Sequence, residues 1–165
     1  MNLWGKARQL RQALLKEGVR AIFVRVVLSH TSPHQIALGA AIGVFFSVIP
    51  TFSLGMFMTL LIAWKARLNL LAAYLGTLVV NPLNSPVVYF INYKIGSWLL
   101  RIGAPLHLPA TLAEVGGIAK QVYLGGVVLG AAAAVLAYFL IYAITLRFRQ
   151  ARDLRRRTQR FQKRV

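Results

Sequence analysis

The chain has 165 residues, of which 58% are apolar and 14% charged, with a net charge of +17 and a mean hydropathy of +0.61. Residues 26–64, 68–93 and 121–146 contain no Asp, Glu, Lys or Arg, and each stretch exceeds the roughly 20 residues that span a bilayer. A soluble domain of this size has too little interior to bury three such stretches. The composition therefore excludes an ordinary soluble globule and predicts an all-α polytopic membrane protein.

The positive charge lies at the two ends of the chain. Residues 1–29 carry six Lys and Arg against Glu17, and residues 147–165 carry nine against Asp153. Cytoplasmic segments of membrane proteins carry an excess of Lys and Arg, and there they meet anionic lipid headgroups. We therefore expect both termini on the cytoplasmic side, with membrane lipids as partners and no nucleic acid.

Residues 1–29 are predicted to form an amphipathic, basic helix that lies in the membrane interface. Leu3, Leu10 and Leu14 recur at helical spacing while the basic residues occupy other faces, and Trp4 is suited to anchor such a helix at the interface. The alternative is an ordinary helix that packs on the protein's own core. Ser32 and Pro33 then mark the start of the next helix.

Residues 37–64 are predicted to form a broken or re-entrant segment. A single straight helix of this length would measure about 42 Å, against a hydrocarbon core of about 30 Å. Pro50 removes a backbone donor and disfavours helix at Ile49, so two helices of about 13 residues each are expected. A re-entrant hairpin fits better than one full span, and two full crossings remain the alternative.

Residues 68–101 repeat this plan with a second interruption, Asn81-Pro82-Leu83-Asn84-Ser85-Pro86. Pro50 and Pro82, which break the two segments, lie 32 residues apart. Each lies six or seven residues after a glycine, Gly43 or Gly76. Two copies of a broken-helix unit are therefore predicted within a membrane domain of residues 30–146.

The last part of the chain is predicted to be a loop, a span and a tail. Prolines and paired glycines in residues 103–119 suit a short external loop, residues 121–146 form a C-terminal transmembrane helix, and residues 147–165 form a basic cytoplasmic tail. With both ends inside, the number of full crossings is even. One consistent topology makes the first segment re-entrant, carries the second outward and returns through residues 121–146.

The two breaks are the candidate site. Irregular backbone is tolerated inside a bilayer only where protein buries it or water reaches it, and a helix begins after each break with free N–H groups that favour an anion such as a lipid phosphate. The alternative is that these polar residues only cap the helices and that the lysine extends toward the membrane surface. The candidate substrate-binding residues are Thr51, Ser53, Asn81, Asn84, Ser85 and Lys94.

No catalytic or metal site is predicted. The chain has three acidic residues and no cysteine, which leaves no carboxylate pair and no nucleophile with a base. His30 and His34 have helical i, i+4 spacing, but Ser32-Pro33 lies between them and no third ligand is near. We therefore expect neither enzyme activity nor a cofactor.

Two small-residue pairs, Gly39/Gly43 and Gly126/Gly130, have the GxxxG spacing that allows close helix packing in membranes. The packing can be within one chain or between the copies of a homo-oligomer, and the sequence leaves both open.

A further set of residues resembles a known family. It comprises Ser32-Pro33, Ala37-Leu38-Gly39, Gly43, Pro50, Arg67-x-Asn69, Gly76-Thr77, Asn81-Pro82, Pro86, Tyr89 and Gly96. Together these residues resemble the bacterial membrane-protein family called domain of unknown function 2062. The resemblance covers about residues 30–146 and implies a bacterial inner-membrane protein without an established activity. In plan, the re-entrant units are also similar to those of the DedA-like group, which is linked to lipid-carrier movement, although the acidic membrane residues expected of that group are missing here.

Two hypotheses follow from the sequence. In the first, the broken segments converge on a polar site that transports or handles a lipid phosphate or another small anion. In the second, the chain is a non-transporting scaffold or assembly factor of the inner membrane whose basic ends bind anionic lipid or another protein.

Overall fold

A computed structural model describes residues 31–51, 53–102 and 112–162, without the side chains of Ser53 and of residues 112, 113 and 152–162. This part of the chain is all-helical, and the predicted interfacial helix of residues 1–29 lies outside it. The helices in chain order are α1 (Pro33–Val48), α2 (Ser53–Lys65), α3 (Leu70–Thr77), α4 (Ser85–Leu99) and α5 (Leu112–Gln162).

Helix α1 begins and ends where local sequence chemistry requires. Ser32 Oγ accepts a hydrogen bond from Gln35 N (3.2 Å), and Gln35 Oε1 accepts one from Ser32 N (2.7 Å). This reciprocal capping box satisfies two backbone donors that a helix start leaves unpaired. The helix ends at Val48, just before Ile49 and Pro50. The start predicted at Ser32-Pro33 and the break predicted at Pro50 are both confirmed.

Helices α1 and α2 form an antiparallel hairpin. After α2 the chain returns to the beginning of α1, where Gln35 Nε2 donates to Arg67 O (3.1 Å) and Gln35 O accepts from Asn69 N (3.4 Å). At the other end, Gly55 fits against the Phe46 carbonyl, which a methyl group at that position would approach to 3.0 Å. The first unit therefore folds back on itself.

In the second unit, residues 68–101, helices α3 and α4 point in the same direction. Helix α3 is parallel to α1, because Gly39 lies beside Asn69 and Gly43 beside Gly76. Helix α4 is antiparallel to α5, since Gly96 lies against Gln121 and Gly125 against Asn92. Helix α5 is in turn antiparallel to α1, so that α3 and α4 point the same way. Two similar sequence units thus have different paths.

Glycine makes the closest helix contacts possible. A methyl group on Gly43 would overlap the Ala73 carbonyl, and one on Gly76 would overlap the Ala40 carbonyl. These two contacts are reciprocal, since Gly43 and Gly76 follow Ala40 and Ala73 at the same spacing. Gly126 and Gly130 instead pack against the last part of α1. A methyl group added at Gly126 would lie 3.4 Å from Cα of Ile49, just after that helix, and one added at Gly130 would lie 3.1 Å from Phe45 O. Both GxxxG pairs are therefore used within one chain.

The interior is narrow and the outside is strongly apolar. The buried residues of α1 and α3 are mostly small, including Ala37, Ala40, Ala41, Ala72 and Ala73. Large apolar side chains are instead exposed along α2, α4 and α5. They include Leu54, Phe57, Trp64, Val87, Phe90, Trp98, Val135, Leu136, Phe139 and Leu140. A surface of this kind is unusual for a soluble monomer and typical of a surface that meets lipid or another protein.

One helix in the described residues is long and apolar enough to cross a membrane. It spans Glu114–Ala151; its most apolar window of 18 residues has a mean hydropathy of 2.4, and only 6% of that window is buried inside the protein. The core helix of a soluble protein would be mostly buried. The helix therefore fits a membrane protein, while α1 and α2 are apolar but shorter.

Helix α5 differs from its predicted bounds of residues 121–146. It covers 51 residues, Leu112–Gln162, so residues 112–119 are helical and were wrongly assigned to an external loop. The residues predicted as a separate basic tail also continue the helix as far as Gln162. The physical reason is that charge ends a membrane span without ending a helix, because Arg, Gln and Leu are good helix formers.

Candidate functional site

The first break is a short turn held by Thr51. Its Oγ1 lies 3.4 Å from the carbonyl oxygens of both Phe46 and Ile49, and it donates toward them. Thr51 O accepts from Leu54 N (3.2 Å) in the first turn of α2. Ser53 begins that helix, and its side chain lies outside the described residues. Thr51 therefore serves the turn itself in this conformation.

The second break is held by two asparagines that bind each other's backbone. Asn81 Oδ1 accepts from Leu83 N (3.0 Å) and Asn84 N (3.2 Å), and Asn84 Oδ1 accepts from Asn81 N (2.8 Å). Asn84 Nδ2 also donates to Val79 O (2.8 Å). Side chains of this type commonly pair with nearby backbone in turns. The irregular backbone is thus largely satisfied from within the loop.

The loop of the second break is nevertheless exposed. Asn81 is exposed, Asn84 and Ser85 are half-buried, and Leu83 at the tip is 92% exposed. Ser85 Oγ donates a long hydrogen bond of 3.4 Å to Pro82 O at the start of α4. Three of the predicted site residues, Asn81, Asn84 and Ser85, therefore lie together on the surface.

Lys94 stands apart from the breaks. Its side chain is exposed on α4, and Nζ lies 5.5 Å from the centre of the Phe90 ring. This is a cation–π arrangement. Lys94 therefore lies on the outside of α4, and its extension toward the membrane surface stays a prediction.

The described contacts do not join the two breaks. Thr51 bonds within its own turn, and the asparagines bond within residues 79–85. Thr77, just before the second break, lies beside Gly43. At the rise of an α-helix this position is roughly 10 Å from the first break, measured along α1. Convergence of the breaks on one ligand therefore stays a prediction.

Sequence reasoning missed Asn92. This residue is fully buried on α4, and its Nδ2 donates to Val48 O (2.9 Å) at the end of α1. Its Oδ1 has no partner among the described residues, and the same is true of Gln121 Oε1 across the α4–α5 contact. An amide in an apolar stretch, four residues before Gly96, is the signal that could have identified it. Buried polar groups normally have hydrogen-bond partners, so these two amide oxygens, unpaired within the described part of the chain, are unusual in an otherwise apolar helix interface.

The start of α1 is also tied to α5. His34 Nδ1 and Tyr138 Oη are 2.8 Å apart, and Arg149 Nη2 donates to Thr31 O (2.6 Å). His30, the other histidine considered for a metal site, lies outside the described residues. The beginning of α1, the end of α2 and the basic half of α5 therefore occupy the same end of the molecule.

Comparison with known proteins defines the family. No curated protein and no solved structure matches the chain. A family model described as "Uncharacterized protein conserved in bacteria (DUF2062)" matches residues 17–154, which include all five helices over most of their length. This confirms the resemblance noted from the sequence motifs. The chain belongs to the DUF2062 family of bacterial proteins.

Proposed function

We propose that this chain is a polytopic protein of the bacterial inner membrane with both termini in the cytoplasm. Helices α1 and α2 form a re-entrant hairpin, α3 and α4 together cross outward, and α5 crosses back. The antiparallel hairpin and the common direction of α3 and α4 support this topology. So does the position of the Arg149–Thr31 contact, which brings the basic part of α5 to the open end of the hairpin.

The length of the second unit supports a single broken crossing. Asn92 is level with Val48, to which it is hydrogen-bonded, and Gln35 at the other end of α1 contacts Arg67. Counting helical rise from Gln35 to Val48, and from Asn92 to the end of α4, gives about 30 Å. This is about the thickness of the hydrocarbon core.

Within this topology, we propose that the broken segments handle a phosphate-bearing lipid or another small anion. The observation that carries the proposal is the exposed loop of residues 79–85. On the same count of helical rise it lies about 10 Å inside the cytoplasmic end. Asn81 and Asn84 satisfy most of the backbone of this loop, but its exposed polar groups at that depth still require water or protein around them. A watered recess beside the start of α4 would suit an anion.

Cysteine accessibility tests this proposal, because the chain has no native cysteine. Leu83→Cys places a thiol at the exposed tip of the second break, and Thr51→Cys places one at the first. Leu136→Cys is the matched control, since Leu136 is 71% exposed on α5, in a stretch that we expect to face lipid. Each variant is treated in intact cells and in inverted vesicles with a membrane-impermeant thiol reagent.

We expect the Leu83 variant to react from the cytoplasmic side and the Leu136 control to react only after detergent is added. Protection of the Leu83 thiol by a soluble lipid-phosphate analogue, and not by an uncharged analogue, would support anion handling. If the thiols at positions 83 and 51 also react only after detergent is added, neither break has aqueous access and the anion-handling proposal fails.

A second function, a non-transporting scaffold, is favoured by the mutual hydrogen bonds of Asn81 and Asn84. These bonds already use the polar side chains that would otherwise meet a ligand. In that case the basic ends bind anionic lipid or a protein partner. Replacing Arg155, Arg156 and Arg157 with Gln would then abolish binding of the purified chain to a partner recovered by crosslinking, whereas Leu83→Cys would leave that binding unchanged.

A further inference from the structure

Helices α2 and α4 end in the same motif. In the first, Arg67 N donates to Trp64 O (3.1 Å) and Leu68 N to Ala63 O (2.8 Å). In the second, Arg101 N donates to Trp98 O (3.2 Å) and Ile102 N to Ser97 O (3.0 Å). This pair of bonds defines a Schellman cap. Both units therefore end in a Trp-x-x-Arg cap followed by an aliphatic residue.

The arginines occupy positions that favour glycine. Arg67 has φ 55° and Arg101 has φ 54°, and they are the two non-glycine residues with positive φ in the described ranges. The left-handed conformation is unfavourable for residues with a Cβ atom, and glycine is the usual choice at this position of a Schellman cap. Arginine in both caps indicates that the side chain is used for something other than the turn.

Each cap borders an open pocket of mixed character. The pocket at the first cap has a volume of about 520 Å³ and is lined by Trp64, Lys65, Arg67, Leu68 and Leu70. The pocket at the second cap, of about 560 Å³, is lined by Ser97, Trp98, Leu99, Arg101 and Ile102. In both, an exposed cation stands beside a tryptophan that is 69% or 80% exposed. Ser97 Oγ adds a buried polar atom without a partner among the described residues.

The two pockets lie at opposite ends of the molecule. The first is at the open end of the hairpin, beside Gln35, and the second is beyond Asn92 at the end of α4. Their separation of about 30 Å along the helices equals the hydrocarbon thickness of a bilayer. Tryptophan is enriched at both membrane interfaces, and an arginine near a helix end can extend its charged group to the interface.

We propose that each Trp-x-x-Arg cap binds the phosphate of a phospholipid headgroup, one in the inner and one in the outer leaflet. The inference rests on the membrane topology proposed above. The planar guanidinium group pairs with a phosphate through two parallel hydrogen bonds. The indole and aliphatic side chains meet the glycerol and upper acyl carbons, which a free phosphate lacks. The two sites fix the depth of the hairpin and of both breaks in the membrane.

The test counts lipids bound to the full-length protein. Purified chain in mild detergent is titrated with phosphatidylglycerol, and the bound molecules are counted by native mass spectrometry. Arg67→Gly and Arg101→Gly remove each side chain while giving the cap the residue that suits its backbone. These variants are therefore expected to be at least as stable as the wild type, which separates lost binding from lost folding. Lys120→Gln, which removes an exposed cation on α5 outside both pockets, is the control.

We expect the wild type and the Lys120 control to retain two lipids more than the double variant does, and each single variant to retain one more than the double variant. Each single variant should weaken its site about tenfold or more, as the loss of a charge-assisted contact predicts. Retention of both lipids by the double variant overturns the proposal. Displacement of the lipids by millimolar inorganic phosphate overturns the assignment to a lipid headgroup.

This result is independent of the anion-handling proposal. If the double variant loses both lipids and the thiol of Leu83→Cys does not react from the aqueous side, the headgroup sites are supported and the water-accessible break is rejected. Reactivity of that thiol with unchanged lipid binding in the double variant would do the opposite.

Discussion

Asn92 Nδ2 donates a hydrogen bond to the carbonyl oxygen of Val48, 2.9 Å away, and so joins the middle of α4 to the last residue of α1. In a continuous helix the Val48 carbonyl would accept from residue 52, but the break at Pro50 ends the helix before that residue. The last four carbonyls of any helix lack helical partners. The second unit of the chain therefore caps the break of the first.

Replacing Asn92 with Ala should destabilise the protein by about 2–4 kcal/mol. The variant leaves the buried Val48 carbonyl without a donor and opens a cavity between α4 and α5, and both effects are costly. Val87→Ala, an exposed position on the same helix, is the control and should change stability by less than about 0.5 kcal/mol. Denaturation in mixed micelles measures both variants. Equal stability of the two would show that the bond does not cap α1.

The crossing of α1 and α3 gives a second prediction. Gly43→Ala and Gly76→Ala should each cost about 1–3 kcal/mol, because the added methyl groups overlap backbone carbonyls that cannot move independently. The double variant should cost clearly less than the sum of the two. Once one methyl group has separated the helices, the second meets little further resistance. A strictly additive double-mutant cycle, measured by the same denaturation, would contradict a shared contact.

Gly116 and Gly117 should behave in the opposite way. They lie in the first part of α5, and an added methyl group would meet nothing within 4 Å at either position. Alanine costs less conformational entropy than glycine in a helix, so each substitution should stabilise the helix by about 0.5–1 kcal/mol. Helical content by circular dichroism and stability in micelles measure the effect. Destabilisation would indicate that this face is covered by something outside the described residues.

Local chemistry made the helix boundaries at the two breaks and at the start of α1 predictable from the sequence, but not those of α5. Pro50, the capping residue Ser32 and the starts at Ser53 and Ser85 depend on neighbours within four residues, and the structure has them as expected. The direction of each unit after its break could not be predicted in the same way. It depends on contacts between distant residues, such as that of Gln35 with Arg67.

The positions of the two helix breaks were predictable from the sequence, and the hydrogen bonds that hold them were not. The polar residues of the second break were found because asparagine and proline are rare in apolar segments. That Asn81 and Asn84 bind each other's backbone follows from the conformation of the loop, which the sequence does not specify. The role of Asn92 and the left-handed conformation of Arg67 and Arg101 were missed, because the first appears only when a second helix is known and the second only when the φ angle is known.

The asparagine pair gives a prediction about the loop itself. Asn84→Ala removes the bonds to Asn81 N and Val79 O, so that two backbone groups of the loop lose their partners. We expect amide hydrogen exchange of residues 79–85 to accelerate at least about tenfold, which corresponds to a loss of about 1.4 kcal/mol of local stability. Ser85→Ala removes only the long bond to Pro82 O and is the control. Unchanged exchange in the Asn84 variant would mean that the loop is held from outside.

Gln35 takes part both in the cap of α1 and in the closure of the hairpin, and a single substitution can separate the two roles. Its Oε1 accepts from Ser32 N, while its Nε2 donates to Arg67 O. Gln35→Glu keeps the acceptor, and its negative charge suits the start of a helix, but a carboxylate cannot donate to the Arg67 carbonyl. We therefore expect α1 to keep its helicity while the turn of residues 66–69 loosens, by about 1–2 kcal/mol in local opening free energy.

Hydrogen exchange of residues 66–69 measures this opening, and exchange of residues 36–40 serves as the internal control for α1. Gln35→Ala removes both bonds and should accelerate exchange in both segments. If Gln35→Glu protects residues 66–69 as well as the wild type does, the side-chain bond does not hold the base of the hairpin. The direct backbone bond from Asn69 N to Gln35 O would then be sufficient to close it.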